Sequence, residues 1–183
     1  MDDRSAVKRL KRGDVQGLEW LVNRYQVEAA RVAFLITQDA HLADDIMQDA
    51  FLQFYRRIAQ YDERRPFAPY FIRIVVNLAI QAARQQQRLV PLNTDVEDST
   101  MLPTPESEAE AAELRKIIGV ALKALSAEQR AVIVMRYYLE FSEREMAEHL
   151  HCPPGTISWR LHAARKRLRG LLHQYVSDQE QEA

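Results

Sequence analysis

The chain has one cysteine, five glycines and no apolar run near the roughly twenty residues that a membrane-spanning helix needs. The lone Cys152 excludes an intramolecular disulfide and a zinc site built from several cysteines. We interpret it as a packed turn residue rather than a reactive thiol. The acidic start, Met1-Asp2-Asp3, does not fit a signal peptide. Together these absences predict a cytoplasmic protein that does not insert into a membrane.

The motifs of common catalytic sites are also missing. The sequence contains no P-loop, GxGxxG, GxSxG or HExxH. His149 and His151 lie two residues apart, a spacing that does not place them on one helical face, and only Cys152 stands beside them as a further metal ligand. We therefore predict no catalytic residue, no metal site and no cofactor.

Long stretches of the sequence have apolar residues at helical spacing. This pattern predicts an all-α fold with two small helical domains. Residues 91–112 hold six acids, no base and three prolines, which predicts a flexible acidic linker. The domains are then 1–90 and 113–176, followed by a disordered tail over 177–183. The linker charge is either only solubilising or a mimic of nucleic acid in a partner's basic channel.

The net charge of −1 hides an uneven distribution. Residues 1–90 carry fourteen lysines and arginines against eleven acids, and residues 113–183 carry eleven against nine. Two mildly basic blocks are thus joined by the acidic linker. Phosphates are bound by local patches of positive charge on the protein surface. A net charge near zero therefore does not argue against nucleic-acid binding.

The first block predicts three or four helices, and Gly13-Asp14 breaks a short first helix ahead of the longer ones. Asp14 is a candidate N-cap for a helix that ends near Ile36. A second helix, Leu42–Gln60, has an apolar stripe formed by Ile46, Met47, Ala50, Phe51, Phe54, Tyr55 and Ile58. Its early acids, which include Asp45 and Asp49, also suit the positive end of the helix dipole. A third helix, Phe67–Arg88, is apolar first and basic later.

The second block predicts four helices. An amphipathic pattern runs from about Glu113 to Leu125, with Leu114, Ile117, Ile118, Ala121 and Leu122 on its apolar face. Ser126 with Gln129 and Ser142 with Glu145 form two capping boxes. In the helix that follows Ser126, the residues predicted to face inward are Ala131, Val132, Val134 and Met135.

The turn His151-Cys152-Pro153-Pro154-Gly155 ends the third helix, because two prolines remove amide donors and the glycine permits a sharp turn. The last helix follows and carries five basic residues and no acid between Thr156 and Gly170. The pair around this turn is typical of a helix-turn-helix that reads DNA. An αα-hairpin with a solvated charged face is the alternative.

Three stretches in this order resemble the extracytoplasmic-function (ECF) sigma factors of bacterial RNA polymerase, in the sigma-70 family. Residues 43–51, ADDIMQDAF, resemble the helix that grips the clamp of the largest polymerase subunit. Residues 67–77, FAPYFIRIVVN, resemble the segment that opens and reads the −10 promoter element. Residues 125–172 resemble the domain that reads the −35 element. The resemblance implies a transcription initiation factor that directs core polymerase to promoters.

The resemblance also implies roles for individual residues of the first domain. Asp45, Gln48 and Asp49 would form a polar edge that contacts the clamp. Asn77 would hold a flipped −10 base. The phosphate contacts would be Arg73, Arg84 and Arg88, and the aromatic candidates for base stacking are Tyr61, Phe67 and Tyr70, although core packing is an equal reading for each ring.

The −35 candidates on the last helix are Thr156, Ser158, Trp159, Arg160, His162, Arg165 and Lys166. The sequence departs from the family here, because Ser158 and Ala163 stand where arginines are common and Trp159 stands where serine is common. Fewer cations should weaken phosphate anchoring. Two smaller departures are Tyr70 for a common tryptophan and Phe71 for a common leucine.

The implied partners are core RNA polymerase, through its clamp and the flap of the second-largest subunit, promoter DNA and an anti-sigma factor. The free protein is expected to be a monomer. Two other classes of protein fit parts of the pattern. A stand-alone helix-turn-helix regulator would be a dimer that binds palindromic duplex without polymerase. A helical adaptor without a DNA role would tolerate charge reversal at Arg160 and Arg165.

Overall fold

The computed structural model describes residues 1–89 and 116–182, with side chains described for residues 1–87 and 116–171. Every regular element in these ranges is a helix, so the predicted all-α class is confirmed. The chain divides into two compact units, Met1–Gln86 and Gln87–Ala183. The predicted linker, residues 91–112, lies outside the described residues. Within the described ranges, no helix has the length and apolar content to cross a membrane.

The first unit contains four α-helices and one short 3-10 helix. The α-helices are α1 (Asp3–Lys11), α2 (Gln16–Thr37), α3 (Ala40–Arg56) and α4 (Phe67–Leu89), and the 3-10 helix is Ile58–Gln60. The sequence predicted one helix over Leu42–Gln60. That prediction was wrong at both ends, since α3 begins earlier and ends earlier.

Acidic side chains explain where two of these helices begin. Asp39 accepts a hydrogen bond from the Leu42 amide at 2.9 Å and so starts α3 at Ala40. Asp14 was predicted to be an N-cap, but the N-cap position of α2 is Val15. One Asp14 carboxylate oxygen nevertheless accepts from the Gln16 amide at 3.0 Å, while the other accepts from Arg9 Nε at 2.7 Å. Asp14 therefore caps α2 from the residue before the N-cap position, and its contact with Arg9 joins α2 to α1.

The first unit is built around a cluster of aromatic rings from α2, α3 and α4. Phe54 and Phe71 are fully buried. The ring centroids of Phe51 and Phe71 lie 4.3 Å apart, and those of Phe54 and Phe67 lie 4.9 Å apart. Tilted and edge-to-face pairs of this kind add to the free energy of burial. The cluster fixes α4 against α3, and these two helices carry the predicted functional residues of this unit.

The second unit contains a helix over residues 116–123 (α5), then α6 (Ala127–Tyr137), α7 (Glu143–Leu150) and α8 (Pro154–Glu182). Both predicted capping boxes are confirmed, at Ser126 and Ser142. The inward-facing residues predicted on α6 are buried as well. Ile118, assigned to the apolar face of α5, is 45% exposed, so that assignment was wrong.

A buried arginine that the sequence did not predict joins α6 to α5. Arg130 is 5% exposed, and its guanidinium donates to the carbonyl oxygens of Leu125 at 3.1 Å and Leu122 at 3.5 Å. Leu122 lies in the last turn of α5, where its carbonyl also accepts from the Leu125 amide at 3.0 Å, and Leu125 lies two residues beyond the helix. Burial lowers the pKa of Arg130. The side chain therefore acts as a C-terminal cap supplied by the next helix.

The turn between α7 and α8 is made differently from the prediction. The sequence assigned the sharp turn to Gly155, but Gly155 lies in the first turn of α8. The left-handed residue is His151, with φ of 49°, and its amide donates to the Ala147 carbonyl. Pro154 is the first residue of α8, a position at which a missing amide costs nothing. Cys152 is half-buried in this turn, as predicted for a packed residue.

The last helix continues to Glu182, into the segment 177–183 for which the sequence predicted a disordered tail. No proline follows Pro154, so nothing in the composition ends the helix earlier. Ile157, Leu161 and Ala164 of α8 are buried. This spacing places the remaining residues of the first four turns on the outer face of the unit.

Candidate nucleic-acid interfaces

One face of α3 combines carboxylates with exposed apolar side chains. Asp45, Gln48 and Asp49 are exposed, whereas the neighbouring Ile46, Phe51 and Phe54 are buried, as the sequence predicted. Two large side chains that the sequence did not assign to this face extend it, because Leu52 is 49% and Tyr55 is 44% exposed.

The position of Tyr55 corrects the sequence prediction, which placed it in the buried stripe of α3. Leu52 and Tyr55 follow Gln48 at i+4 and i+7, the spacing of one helical face. This spacing was the signal in the sequence that would have assigned both residues to the polar edge. The surface on α3 formed by Asp45, Gln48, Asp49, Leu52 and Tyr55 is called the α3 face below.

The loop between the 3-10 helix and α4 is held in place by its own residues and by α1. The Tyr61 hydroxyl donates to the Arg65 carbonyl at 2.7 Å, and Lys11 Nζ donates to the Tyr61 carbonyl at 2.7 Å. Burial raises the pKa of Tyr61 to about 12. Hydrogen bonds from Arg64 lower the pKa of Asp62 to about 2. These contacts give the loop, residues 61–66, one defined shape.

Two of the three aromatic candidates for base stacking lie in the core. Tyr61 is 5% and Phe67 is 2% exposed, and the Tyr61 ring packs on Tyr70 at a centroid distance of 4.7 Å. A ring with so little exposed area has no open face for a base, so Tyr61 and Phe67 support the loop instead. Tyr70 is half-buried and keeps an exposed edge.

A pocket of about 250 Å³ lies between α1 and this loop. Asp3, Arg4 and Val7 of α1 line one side of it, and Glu63, Arg64, Arg65 and Phe67 line the other. The carboxylates of Asp3 and Glu63 offset most of the positive charge of the arginines, so this lining does not by itself favour an anionic group.

The basic candidates on α4 share one face. Arg73 is half-buried, Asn77 and Arg84 are exposed, and their spacing of four and eleven residues places all three in one row along the helix. Arg88 belongs to the same row by its position in the helix, although its side chain lies outside the described residues. At a rise of about 1.5 Å per residue, the row from Arg73 to Arg88 is about 22 Å long.

The outer face of α8 holds the remaining candidates. Ser158, Trp159, His162, Arg165 and Lys166 are exposed, and Thr156 and Arg160 are half-buried. Trp159 is 67% exposed, which is unusual for the largest apolar side chain.

Two candidates on α8 are held by residues that sequence reasoning missed. Arg165 Nε donates to the Tyr137 hydroxyl at 2.9 Å, and its guanidinium lies 5.8 Å from the centre of that ring. The Ser158 hydroxyl donates to the Glu143 carboxylate. The partners lie 28 and 15 residues away, and no local pattern predicts contacts at such separations.

Two family models cover most of the described residues. Sigma-70 region 2 matches residues 21–89, and Sigma-70, region 4 matches residues 115–168. The ECF RNA polymerase sigma factor SigW of Bacillus subtilis is 31% identical over 173 residues, which are 89% of this chain and 92% of that protein. This chain belongs to the ECF sigma factors. The ECF RNA polymerase sigma-E factor of Haemophilus influenzae is 29% identical over 180 residues, or 92% and 94% of the two chains.

Two solved structures share the fold. CnrH, solved with the cytosolic domain of CnrY, superposes with a TM-score of 0.67 at 24% identity over 94% of this chain and 97% of that one. The sigma factor RpoE of Bartonella quintana, solved with the anti-sigma factor NepR, gives 0.65 at 20% identity over 85% and 96%.

As an ECF sigma factor, the protein is a transcription initiation factor that binds RNA polymerase and directs it to promoters. The family predicted from the sequence is confirmed. The α3 face and the row on α4 fall within the region 2 match, and the first four turns of α8 fall within the region 4 match. Helix α1 precedes the region 2 match, although it contacts the loop before α4.

Proposed function

We propose that the first unit of this sigma factor docks on the polymerase clamp and captures the opened −10 strand, and that the second unit reads the −35 duplex. One observation carries the proposal. In each predicted interface the described polar candidates lie along one side of a helix, and the opposite side, which includes Phe54, Val75 and Ile157, is buried. Leu52 and Tyr55 are neighbours on the α3 face, and exposed apolar side chains grouped beside polar groups are a feature of interaction sites.

The α3 face is the proposed polymerase contact. Asp45, Gln48 and Asp49 supply acceptors for basic residues of the clamp, and Leu52 and Tyr55 add apolar area beside them. Exposed acids speed the encounter with a basic surface, whereas buried apolar contacts slow dissociation. The α3 face therefore has both parts that a stable interface needs.

The row on α4 is the proposed path of the opened −10 strand. Arg73, Arg84 and Arg88 contact phosphates, and Asn77 holds a base that has left the stack. Opening a duplex without ATP requires that base contacts offset an unstacking cost of a few kcal/mol per base. Stacking on the face of an aromatic ring returns about 1–3 kcal/mol per base, and the half-buried Tyr70 is the candidate ring.

The outer face of α8 is the proposed −35 reader. Trp159, His162 and Lys166 lie near the middle of this face, while Arg160 and Arg165 lie toward its edges. Because Tyr137 fixes the guanidinium of Arg165, this arginine reaches a phosphate or guanine with little loss of side-chain entropy. We place the flap of the second-largest polymerase subunit against the same unit.

The finer partner assignments are also proposals. The acidic segment 91–112 passes through basic channels of the polymerase, where its charge replaces that of RNA. An anti-sigma factor covers the α3 face and the outer face of α8 in the inactive state, and the free protein is a monomer. The sigma factor RpoE of Bartonella quintana, which shares this fold, was solved with the anti-sigma factor NepR, which supports this assignment.

Run-off transcription with purified core RNA polymerase, without an anti-sigma factor, tests the proposal. Asn77→Ala should lower open-complex formation by about tenfold while leaving the affinity for core polymerase unchanged, because one base contact is lost. Asn23→Ala, a change at an exposed asparagine on α2, is the matched control. Failure of the wild-type protein to direct transcription from any promoter would end the proposal.

A further inference from the structure

A carboxylate lies on the otherwise basic surface of the second unit. Glu143, the first residue of α7, accepts a hydrogen bond from Ser158 in the first turn of α8. All charged residues of α8 from Thr156 to Gly170 are positive. In helix-turn-helix proteins, the first turns of the second helix meet the base edges. Glu143 is therefore held beside the part of α8 that reads bases.

The contact with Ser158 is the one polar partner found for the Glu143 side chain within the described residues. None of the ion pairs among these residues involves Glu143, whereas Glu148 on the same helix pairs with Arg144 at 3.2 Å. Ser158 is exposed and Glu143 is half-buried. The carboxylate thus keeps lone pairs for a further donor.

The hydroxyl of Ser158 strengthens this acceptor character. The hydroxyl lies within hydrogen-bond distance of two acceptors, the Glu143 carboxylate and the Pro154 carbonyl at 3.3 Å, and a bond to either one engages its single proton. A hydroxyl whose proton is engaged offers only lone pairs to a third group. Glu143 and Ser158 together form a set of acceptors with no donor directed outward.

This set distinguishes the bases by their major-groove edges. Cytosine presents an amine donor, and adenine presents an amine beside the N7 acceptor. Guanine and thymine present acceptors, which a carboxylate repels. The expected order of preference is cytosine, then adenine, then guanine and thymine.

We propose that Glu143, oriented by Ser158, is a specificity-determining residue that selects a base pair presenting the cytosine amine at one position of the −35 element. The inference rests on the proposed function, since it requires α8 to read that element. It adds a residue of α7 to the reading surface and assigns the chemical class of the base. A purely structural tie between α7 and α8 is the competing role for the same contact.

Selection of active promoters by reconstituted holoenzyme, from a library with randomised −35 positions, separates the two roles. At one position the wild-type protein should enrich cytosine over guanine and thymine by about fivefold or more, the lower range for a base contact. Glu143→Gln should shift that position toward adenine, since an amide donates to N7 and accepts from the amine. Ser158→Ala should keep cytosine with weaker enrichment. Glu148→Gln, on the same helix, should change nothing.

Identical base preferences of Glu143→Gln and wild type at every position, with both proteins active, would overturn the inference and leave Glu143 as a structural tie. If Glu143→Gln does not fold, as measured by circular dichroism, Ser158→Ala decides, and undiminished cytosine enrichment overturns the inference. Wild-type holoenzyme that transcribes without any −35 preference contradicts the proposed function itself. The two failures are therefore distinguishable.

Discussion

Replacing Lys11 with methionine should release the loop of residues 61–66 from α1 without emptying the space that the side chain fills. Lys11 Nζ lies 2.7 Å from the Tyr61 carbonyl and 3.9 Å from the Glu63 carboxylate. The Lys11 and Glu63 side chains are 25% and 34% exposed. Methionine keeps the length and apolar stem of lysine but has no donor.

The magnitude follows from these two contacts. A hydrogen bond from a charged group contributes about 1.5–3 kcal/mol when buried. Partial exposure of Lys11 reduces that to about 1–2 kcal/mol, and the long ion pair with Glu63 adds at most a few tenths. The open form of the loop should then be populated about 5–30 times more in Lys11→Met. Hydrogen exchange of the amides of residues 61–65 should accelerate by the same factor, because exchange follows the open population.

The same variant should also lower promoter opening while leaving core polymerase binding intact, since Lys11 is remote in sequence from α3 and contacts the loop that precedes α4. Lys8→Met is the matched control, because Lys8 is an exposed lysine of the same helix. Equal exchange rates in Lys11→Met and wild type would refute the reasoning. Faster exchange in both lysine variants would refute it as well, since the effect would then not depend on the Tyr61 contact.

Two further changes test the packing and the capping described above. Gly17→Ala should destabilise the first unit by about 1–3 kcal/mol in urea unfolding, because a Cβ there would lie 2.2 Å from the Ala6 carbonyl oxygen. Gly170→Ala, with open space around it, should instead stabilise α8, and destabilisation by both changes would contradict the packing argument. Hydrogen bonds from Ser142 lower the pKa of Glu145 in the folded protein. The stability that this carboxylate contributes is therefore fully present above the pKa that Glu145 has in the unfolded chain. It is lost as the pH falls through the lower pKa of the folded protein. Glu145→Gln, which keeps the capping box, should therefore lose less stability than wild type between about pH 5 and 3, whereas Glu148→Gln should follow wild type.

The parts of this protein that the sequence predicted are those whose causes are local. The capping boxes at Ser126 and Ser142 each span four residues, so the pattern and its physical cause lie in one turn. The outer face of α8 was predicted for the same reason, since buried Ile157 and Leu161 fix which side faces outward. Family membership added the order of the two units, because three motifs at fixed separations are more specific than any one of them.

The contacts that shape the candidate sites join residues far apart in the sequence. Lys11 contacts Tyr61 across 50 residues, and Tyr137 contacts Arg165 across 28. Composition and periodicity carry no information about such pairs. They also do not separate a stacking ring from a core ring, since Tyr61 and Tyr70 have the same chemistry and only their burial differs. The sequence pattern assigned Tyr55 to the core because helical spacing shows the direction of an apolar face but not how many residues at its edges are buried.

The charge pattern of α8 explains why the second unit suits a subunit of polymerase better than an independent repressor or activator. Ser158 and Ala163 stand where relatives commonly carry arginine, and the Ser158 hydroxyl is directed at a carboxylate. Each missing phosphate contact removes about 0.9 from the salt slope and part of the non-specific affinity. A free factor with this surface should therefore bind duplex weakly. Within holoenzyme, polymerase holds the unit near DNA at a high effective concentration, so a weak contact still selects among promoters. If Glu143 and Trp159 contact bases as proposed, base preference would then depend on discrimination by these residues rather than on total affinity.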